Sequence, residues 1–342
     1  MKLSISAVCF CLLFIFSACA SSQSQPSWVR NPYNKYDRQI HAAAVGSGID
    51  RQSAEKNALG NLVAFFGQSI QVDERVSVTY RETVRNGVSA GWIENTSVNN
   101  DIITSAGMDS LIGAEIGEAW FDGKNTHYAI AVLNKANANR AYSELIRSNQ
   151  RIIDNLINIP ANQKNTMEGF VRYRTAAAIA DINSSYASLL SLLGFSSLQN
   201  IKNGDEYRLE AQNISQAIPI NVRVRNDRQG RIQNAFAKIL TDMGFRTGGT
   251  NSRYIIDVDI TTSSADVPNN SVRFIRIELK ADFIDTNNRA VLVSYSLNER
   301  EGHSTVEAAT NRVFLTTERR IETEFRELLD RYLLRMLPRL NI

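Results

Sequence analysis

Cys19 is the last cysteine of a 342-residue chain, and its position removes disulfide bonds from everything that follows it. Cys9 and Cys11 stand earlier, inside an apolar run from Leu3 to Ala18 that Lys2 introduces. A charged start, an apolar centre and the small pair Ser17-Ala18 before Cys19 form the pattern of a secretory signal peptide. At about 16 residues the run falls short of the ~20 that cross a bilayer as a helix. Removal of residues 1–18 leaves a mature chain with one thiol and no internal disulfide. Its stability must then come from buried apolar surface.

The end of that run, Phe16-Ser17-Ala18-Cys19, resembles a bacterial lipobox, with Phe16 where leucine is usual. The resemblance implies cleavage before Cys19 and acylation of its sulfur, palmitate being the expected kind of chain. An unpaired cysteine in an exported protein otherwise needs its own explanation. Ala20 rather than aspartate after the cysteine agrees with sorting to the outer membrane. Residues 19–27 read as a lipidated cysteine and a short tether; ASSQSQPS, residues 20–27, is small, polar and free of aromatics. Eight residues reach at most ~27 Å stretched and average nearer ~15 Å as a coil. The folded part is therefore expected close to the membrane.

The hydrophobic share is 43% and the formal charge +3, which becomes +2 when Lys2 leaves with the signal. Neither implies nucleic acid or a strong steering field. No second apolar run approaches spanning length.

A first domain opens at Trp28. Ile40 to Val45 reads as a short strand ended by Gly46-Ser47-Gly48. Asp50 can cap a helix from Arg51 to about Phe66, with Ala54, Ala58, Leu62 and Phe65 on one stripe. Ile70 to Tyr80 alternates as a strand, and Trp92 to Ile103 is a weaker strand region. Ile112–Phe121 and Thr126–Val132, around Asp122-Gly123-Lys124-Asn125, read as a hairpin. Helices follow from Ala136 to about Leu193, interrupted at Pro160 and ended by Gly194. A second α/β unit then shows strands at Ile220–Val224, Tyr254–Ile260, Ile275–Phe283 and Val291–Leu297. Its helices are a stripe from Ile232 to Met243 and a last helix from Ile321 to Met336 with Glu322–Arg326 and Glu327–Arg331 as i,i+4 pairs. Each sheet is expected to have one face under helices and one in solvent.

Ser27-Trp28-Val29, Pro32, Ala42-Ala43-Ala44-Val45-Gly46-Ser47-Gly48 and the helix with Ala54 and Ala58 resemble the Lpp-twenty family of bacterial outer-membrane lipoproteins. Gly113-Ala114-Glu115-Ile116 through Trp120 to Tyr128-Ala129-Ile130-Ala131-Val132 continues that likeness. Order and spacing carry it over Trp28 to Asn139, and the N-terminal domain of flagellar assembly protein T is similar. The resemblance implies an envelope lipoprotein with a structural or assembly role and brings no catalytic residue to carry over.

Several short motifs invite other chemistry. Gly46-Ser47-Gly48 lacks the third glycine of a dinucleotide fingerprint, Arg51 standing in its place, and reads as a tight turn feeding a helix. Ser89 in Gly87-Val88-Ser89-Ala90-Gly91 lies between strand-like stretches, where a nucleophile elbow needs a strand-to-helix turn. Ser53-Ala54-Glu55-Lys56, Ser97-Val98-Asn99 and Arg246-Thr247-Gly248 follow the order of a penicillin-recognising serine enzyme. A strand between the first two, and a helix end before the third, argue against it. His41, His127 and His303 have no metal-ligand spacing, so neither metal nor cofactor is expected. Asp257 and Asp259 share a strand face, and Arg223, Arg225, Arg273 and Arg276 are candidates for a basic surface or for ordinary strand-face charge.

The fold class expected is α+β: two small α/β sandwich-like domains, each an antiparallel or mixed sheet with helices on one face, joined by helices. The divisions are residues 1–18, 19–27, 28–139, a helical connector 140–195 and a C-terminal domain 196–342, each domain with its own core. The function expected is a non-enzymatic, lipid-anchored scaffold at the periplasmic face of the outer membrane. It would bind an envelope protein or a second copy of itself, and neither nucleic acid nor a small-molecule substrate. Activation of a peptidoglycan synthase is disfavoured by the short tether, which cannot cross a cell wall. A flagellar-assembly accessory and the serine enzyme are the competing functions.

Overall fold

A computed structural model describes residues 24–67, 111–196, 201–249, 251–265 and 271–338. The strand readings at Ile70–Tyr80 and Trp92–Ile103 lie outside these residues, as does Cys19. The chain divides into two compact units, one of residues up to 62 with 114–133, the other of 63–113 with 134–342.

The first unit opens with a single helical turn, α1 (Ser27–Arg30), followed by a 3-10 turn at Pro32–Asn34. Strand β1 (His41–Gly48) and helix α2 (Arg51–Gly67) come next, then the hairpin β2 (Ala114–Phe121) and β3 (His127–Asn134). The sheet order is β1-β3-β2, with the hairpin antiparallel. Asp122 builds the hairpin turn by accepting from the N–H groups of Lys124, Asn125 and Thr126 at 2.8, 3.1 and 3.1 Å. As expected, Asp50 caps α2, accepting from the Ser53 N–H at 2.7 Å.

Glycine at position 46 lets α2 lie directly on β1. A Cβ there would come within 2.1 Å of the Ala58 nitrogen, and one at Gly48 within 2.6 Å of the Ala54 nitrogen. Asn57 and Asn61 donate from α2 to the Ser47 and Val45 carbonyls at 2.8 and 2.9 Å. The other face of this sheet is not left to solvent, contrary to the expectation. Trp28 is 2% exposed and packs against Ile130 and Val132, with Ala43, Val45, Trp120 and Tyr128 around it. The apolar residues of β1 and β3 alternate too densely for one wet face: Ala129, Ala131 and Leu133 are buried as fully as Ile130 and Val132.

The second unit begins with helix α3 (Lys135–Ile157), the short α4 (Ala161–Lys164) after Pro160, and α5 (Met167–Leu192). Gly194 takes φ +90° at the end of α5, and the Phe195 N–H reaches back to the Leu190 carbonyl at 3.0 Å. Inside the α3–α5 pair, buried Asn149 donates to buried Asn183 at 2.8 Å, a polar contact that fixes helix register. Helix α6 (Gly204–Gln216), capped by Asn203, precedes β4 (Pro219–Arg225), α7 (Arg231–Asp242) and the two-residue β5 (Arg246–Thr247). Then come β6 (Tyr254–Ser264), β7 (Arg273–Asp285) and β8 (Ala290–His303). The sheet order is β5-β4-β6-β7-β8, parallel through β5, β4 and β6 and antiparallel from β6 to β8. Helices cover one face; Met167, Phe170 and Val171 of α5 belong to that core. The other face carries charges, as expected.

The last helical run is longer than its sequence pattern suggests. It spans α8 (Val306–Arg320), a π-helical turn at Ile321–Phe325 and α9 (Arg326–Arg335). Glu327 and Arg331 pair at 2.6 Å as expected, but Glu322 and Arg326 do not pair with each other. Glu322 meets Lys238 at 3.0 Å and Arg326 meets Asp242 at 3.4 Å. Lys238 and Asp242 both stand on α7, which supplies the partners instead.

Two outcomes follow. Gly46→Ala should cost about 3 kcal/mol, because helix backbone rather than a flexible side chain stands in the way; urea unfolding followed by tryptophan fluorescence measures it. At the start of β6, Arg253 holds Asp285 at 3.0 and 2.6 Å, and that hydrogen bonding keeps the carboxyl below its ordinary range. A depressed carboxyl stabilises the fold above its unfolded pKa, near ~3.9, and the contribution disappears as pH falls through the folded value. Asp285→Asn should therefore lose about 1–2 kcal/mol at neutral pH and show a shallower acid slope below about pH 4, measured by unfolding across pH.

Candidate functional site

Within the second unit, the carboxyl ends of the parallel pair β4 and β6 open on a cleft of about 410 Å³. Asn226, Arg228, Thr262, Ser263, Ser264, Ile275, Val306, Thr310 and Phe314 line it. The core-facing row of β6 explains why it is there. Tyr254, Ile256, Val258 and Ile260 are all buried, but the same row continues as Thr262 and Ser264, while the partners across β7 stay apolar as Ile277 and Ile275. Hydroxyls replace side chains that would have filled the space under α8, so the core stops and a wet recess begins.

The loop from β4 to α7 forms the rim. Asn226 and Gln229, neither of them glycine, take φ 61° and 60°, and Gly230 follows at 68°. Left-handed residues other than glycine cost of order 1 kcal/mol each and mark places where geometry matters. Asn226 offsets its cost by donating from Nδ2 to the Ile260 carbonyl at 3.0 Å. Asp227 accepts from the Ile232 and Gln233 N–H groups at 3.2 and 2.9 Å, capping α7. That leaves Arg228 exposed on the rim with no carboxylate partner among the described residues. The floor is apolar, from Ile275, Val306 and Phe314, and no acidic group is in the lining. Such a recess suits a small anionic group attached to an apolar one.

The residues singled out in the sequence are distributed otherwise. Ser53 sits in the first turn of α2 with its N–H held by Asp50, and Lys56 is exposed beyond it. Ser89 and Ser97-Val98-Asn99 lie outside the described residues. Arg246 and Thr247 do form a strand, the two-residue edge β5, so the objection that this triplet merely follows a helix end fails. His127 stacks on Phe121 with ring centroids 4.4 Å apart, and His41 meets Tyr36 edge-on at 5.5 Å. His303 binds its neighbour Ser304. Among the described residues no group of His, Cys, Asp and Glu has the arrangement of a metal site.

Arg223 and Arg225 contribute no free basic surface. Arg223 lies 3.1 Å and Arg225 3.0 Å from Asp257, and Arg225 also approaches Asp259 at 3.7 Å. The hydrogen bonds from Arg223 hold the Asp257 carboxyl below its ordinary range. Arg273 and Arg276 stand on β7, with β6 between them and the β4 arginines. The Arg223 and Arg225 side chains are thus ordinary strand-face charge. The cleft residues belong to no motif; their readable signal is the change from isoleucine to threonine and serine in one row of β6.

Comparison with solved structures returns a secreted protein of Helicobacter pylori, HP1454, at 13% identity and a TM-score of 0.45, covering 84% of this chain and 97% of that one. A minor lipoprotein of Acinetobacter baumannii is 12% identical over 34% of this chain and 93% of its own, at a TM-score of 0.26. Lipoprotein GNA1162 of Neisseria meningitidis is 12% identical over 30% and 96%, at 0.21. No curated protein sequence matches. The resemblance carried by the motifs from Trp28 to Asn139 is met directly: residues 26–134 of this chain match the model of the LPP20 lipoprotein family.

Proposed function

We propose that the mature chain is anchored by lipid on Cys19 at the periplasmic face of the outer membrane, and that its folded units bind protein partners without catalysing a reaction. The observation that carries this reading is the lipoprotein-family match beginning at residue 26, seven residues past the lipobox-like Cys19. Among the described residues the first helix begins at Ser27, eight residues past Cys19, so the segment between anchor and first helix is short. That keeps the first unit at the membrane surface, where an assembly factor meets its partners. The helix-start environment of Ser53 supports the non-enzymatic reading, since its N–H serves the cap and Lys56 is turned to solvent.

Cys19→Ala should move the protein from the membrane to the soluble envelope fraction on fractionation. One acyl chain holds a protein only marginally and several hold it durably, so the shift should be nearly complete. Retention of the variant at wild-type levels would place the anchor elsewhere. A fluorescent penicillin should label neither wild type nor Ser53→Ala; labelling of the wild type that Ser53→Ala abolishes would make the protein a serine enzyme.

A further inference from the structure

Strand β6 runs past the point where β4 leaves it. β4 pairs through Ile220–Arg225 with Tyr254–Asp259 and then turns away at Asn226. The bond from Asn226 to the Ile260 carbonyl fixes that carbonyl on the β4 side of the strand. Backbone groups alternate from side to side along a strand, so the N–H and C=O groups of Thr262 and Ser264 face that way too. β7 takes the opposite side, where the Ala265 N–H donates to the Phe274 carbonyl at 2.8 Å. Among the described residues, no strand pairs with Thr262 or Ser264 on the β4 side. These unused groups open on the cleft beside Arg228.

We propose that the cleft binds the C-terminal end of an extended peptide, added to Thr262 and Ser264 as a short strand antiparallel to β6. The slot is closed at one end by the chain of β4 and by the Asn226 side chain, so an added strand cannot pass through and must end there. Arg228 stands on the same loop as that closure, and no carboxylate lines the space. A carboxylate is therefore the terminus that fits, and an amino group is repelled. A peptide ending at the closed end with its carboxylate runs from Ser264 towards Thr262, which makes it antiparallel. At about 3.4 Å per residue, the open stretch Thr261–Ser264 takes only the last few residues. Backbone bonds supply the affinity, and the final side chain enters the apolar floor of Ile275, Val306 and Phe314.

This inference rests on the partner-binding reading above and names the chemistry of the partner's contact. The test uses the full mature chain carrying Cys19→Ala, labelled with nitrogen-15. The probe is a pool of acetylated tetrapeptides, randomised at every position and ending in a free carboxylate; the same pool amidated, and acetate alone, are the comparisons. Amide shifts at Thr262 and Ser264 that saturate in the millimolar range or below with the carboxylate pool are expected. Arg228→Gln, an exposed change that leaves the circular dichroism intact, should weaken them about tenfold. Equal shifts with the amidated pool, the same shifts with acetate alone, or no shift with any probe would overturn the proposal. Fractionation of Cys19→Ala can succeed while this titration fails, or the reverse, so the two readings fall separately.

Discussion

Alternation along the strands of the second unit is the constraint on which the rest depends. With no cysteine after Cys19, nothing covalent closes this fold. Ile256, Val258 and Ile260 on β6 face Phe283, Ala281 and Leu279 on β7, and all six are at most 1% exposed. A slip of one residue in that register would carry the whole row into solvent and bring Asp257, Asp259 and Lys280 inside. At roughly 25 cal/mol per Å² of apolar surface, such a slip is not a local loss but the loss of the core. The helices then follow, because the row they cover is fixed before they dock.

Much of this is legible in the residues themselves. Period-two rows place β4, β6, β7 and β8, and helical stripes place α2, α5 and α7. The glycines after β1 are readable as a turn feeding a close-packed helix, and the Cβ distances at Gly46 and Gly48 supply the reason. Less legible are features that depend on the partner of an element. Parallel pairing of β4 with β6 leaves no local signature, since either direction buries the same row. Helix α6 is legible in principle, since Tyr207, Ala211 and Ile214 stand four and three residues apart behind the Asn203 cap. The cleft is not: two hydroxyls in a strand read as a fraying end until the neighbouring β7 is seen to stay apolar.

The first unit shows how a single aromatic residue changes an architecture. A sheet such as the three described strands with one helix would normally leave one face wet, and alternating patterns encourage that reading. Trp28 instead brings α1 across the second face, against Ile130 and Val132. An aromatic ring buries more surface than any aliphatic side chain, so one residue suffices where a helix would otherwise be needed. The tryptophan stands near the entry to the fold, which couples burial of that face to the short segment leading back to Cys19.

The final helical run carries a consequence for how its seam must wind. Ala309, Val313, Thr317, Ile321, Phe325, Leu329 and Leu333 are all buried and recur every fourth residue. An α-helix turns about 100° per residue, so a four-residue repeat precesses by roughly 40° at each step and cannot stay on one straight line. A periodicity longer than 3.6 implies a right-handed spiral of the buried stripe. The π turn at Ile321–Phe325, with its wider circumference, takes back part of that precession halfway along. The five-residue irregularity thus acts as a phase correction, letting one continuous rod stay seated on a twisted sheet from end to end.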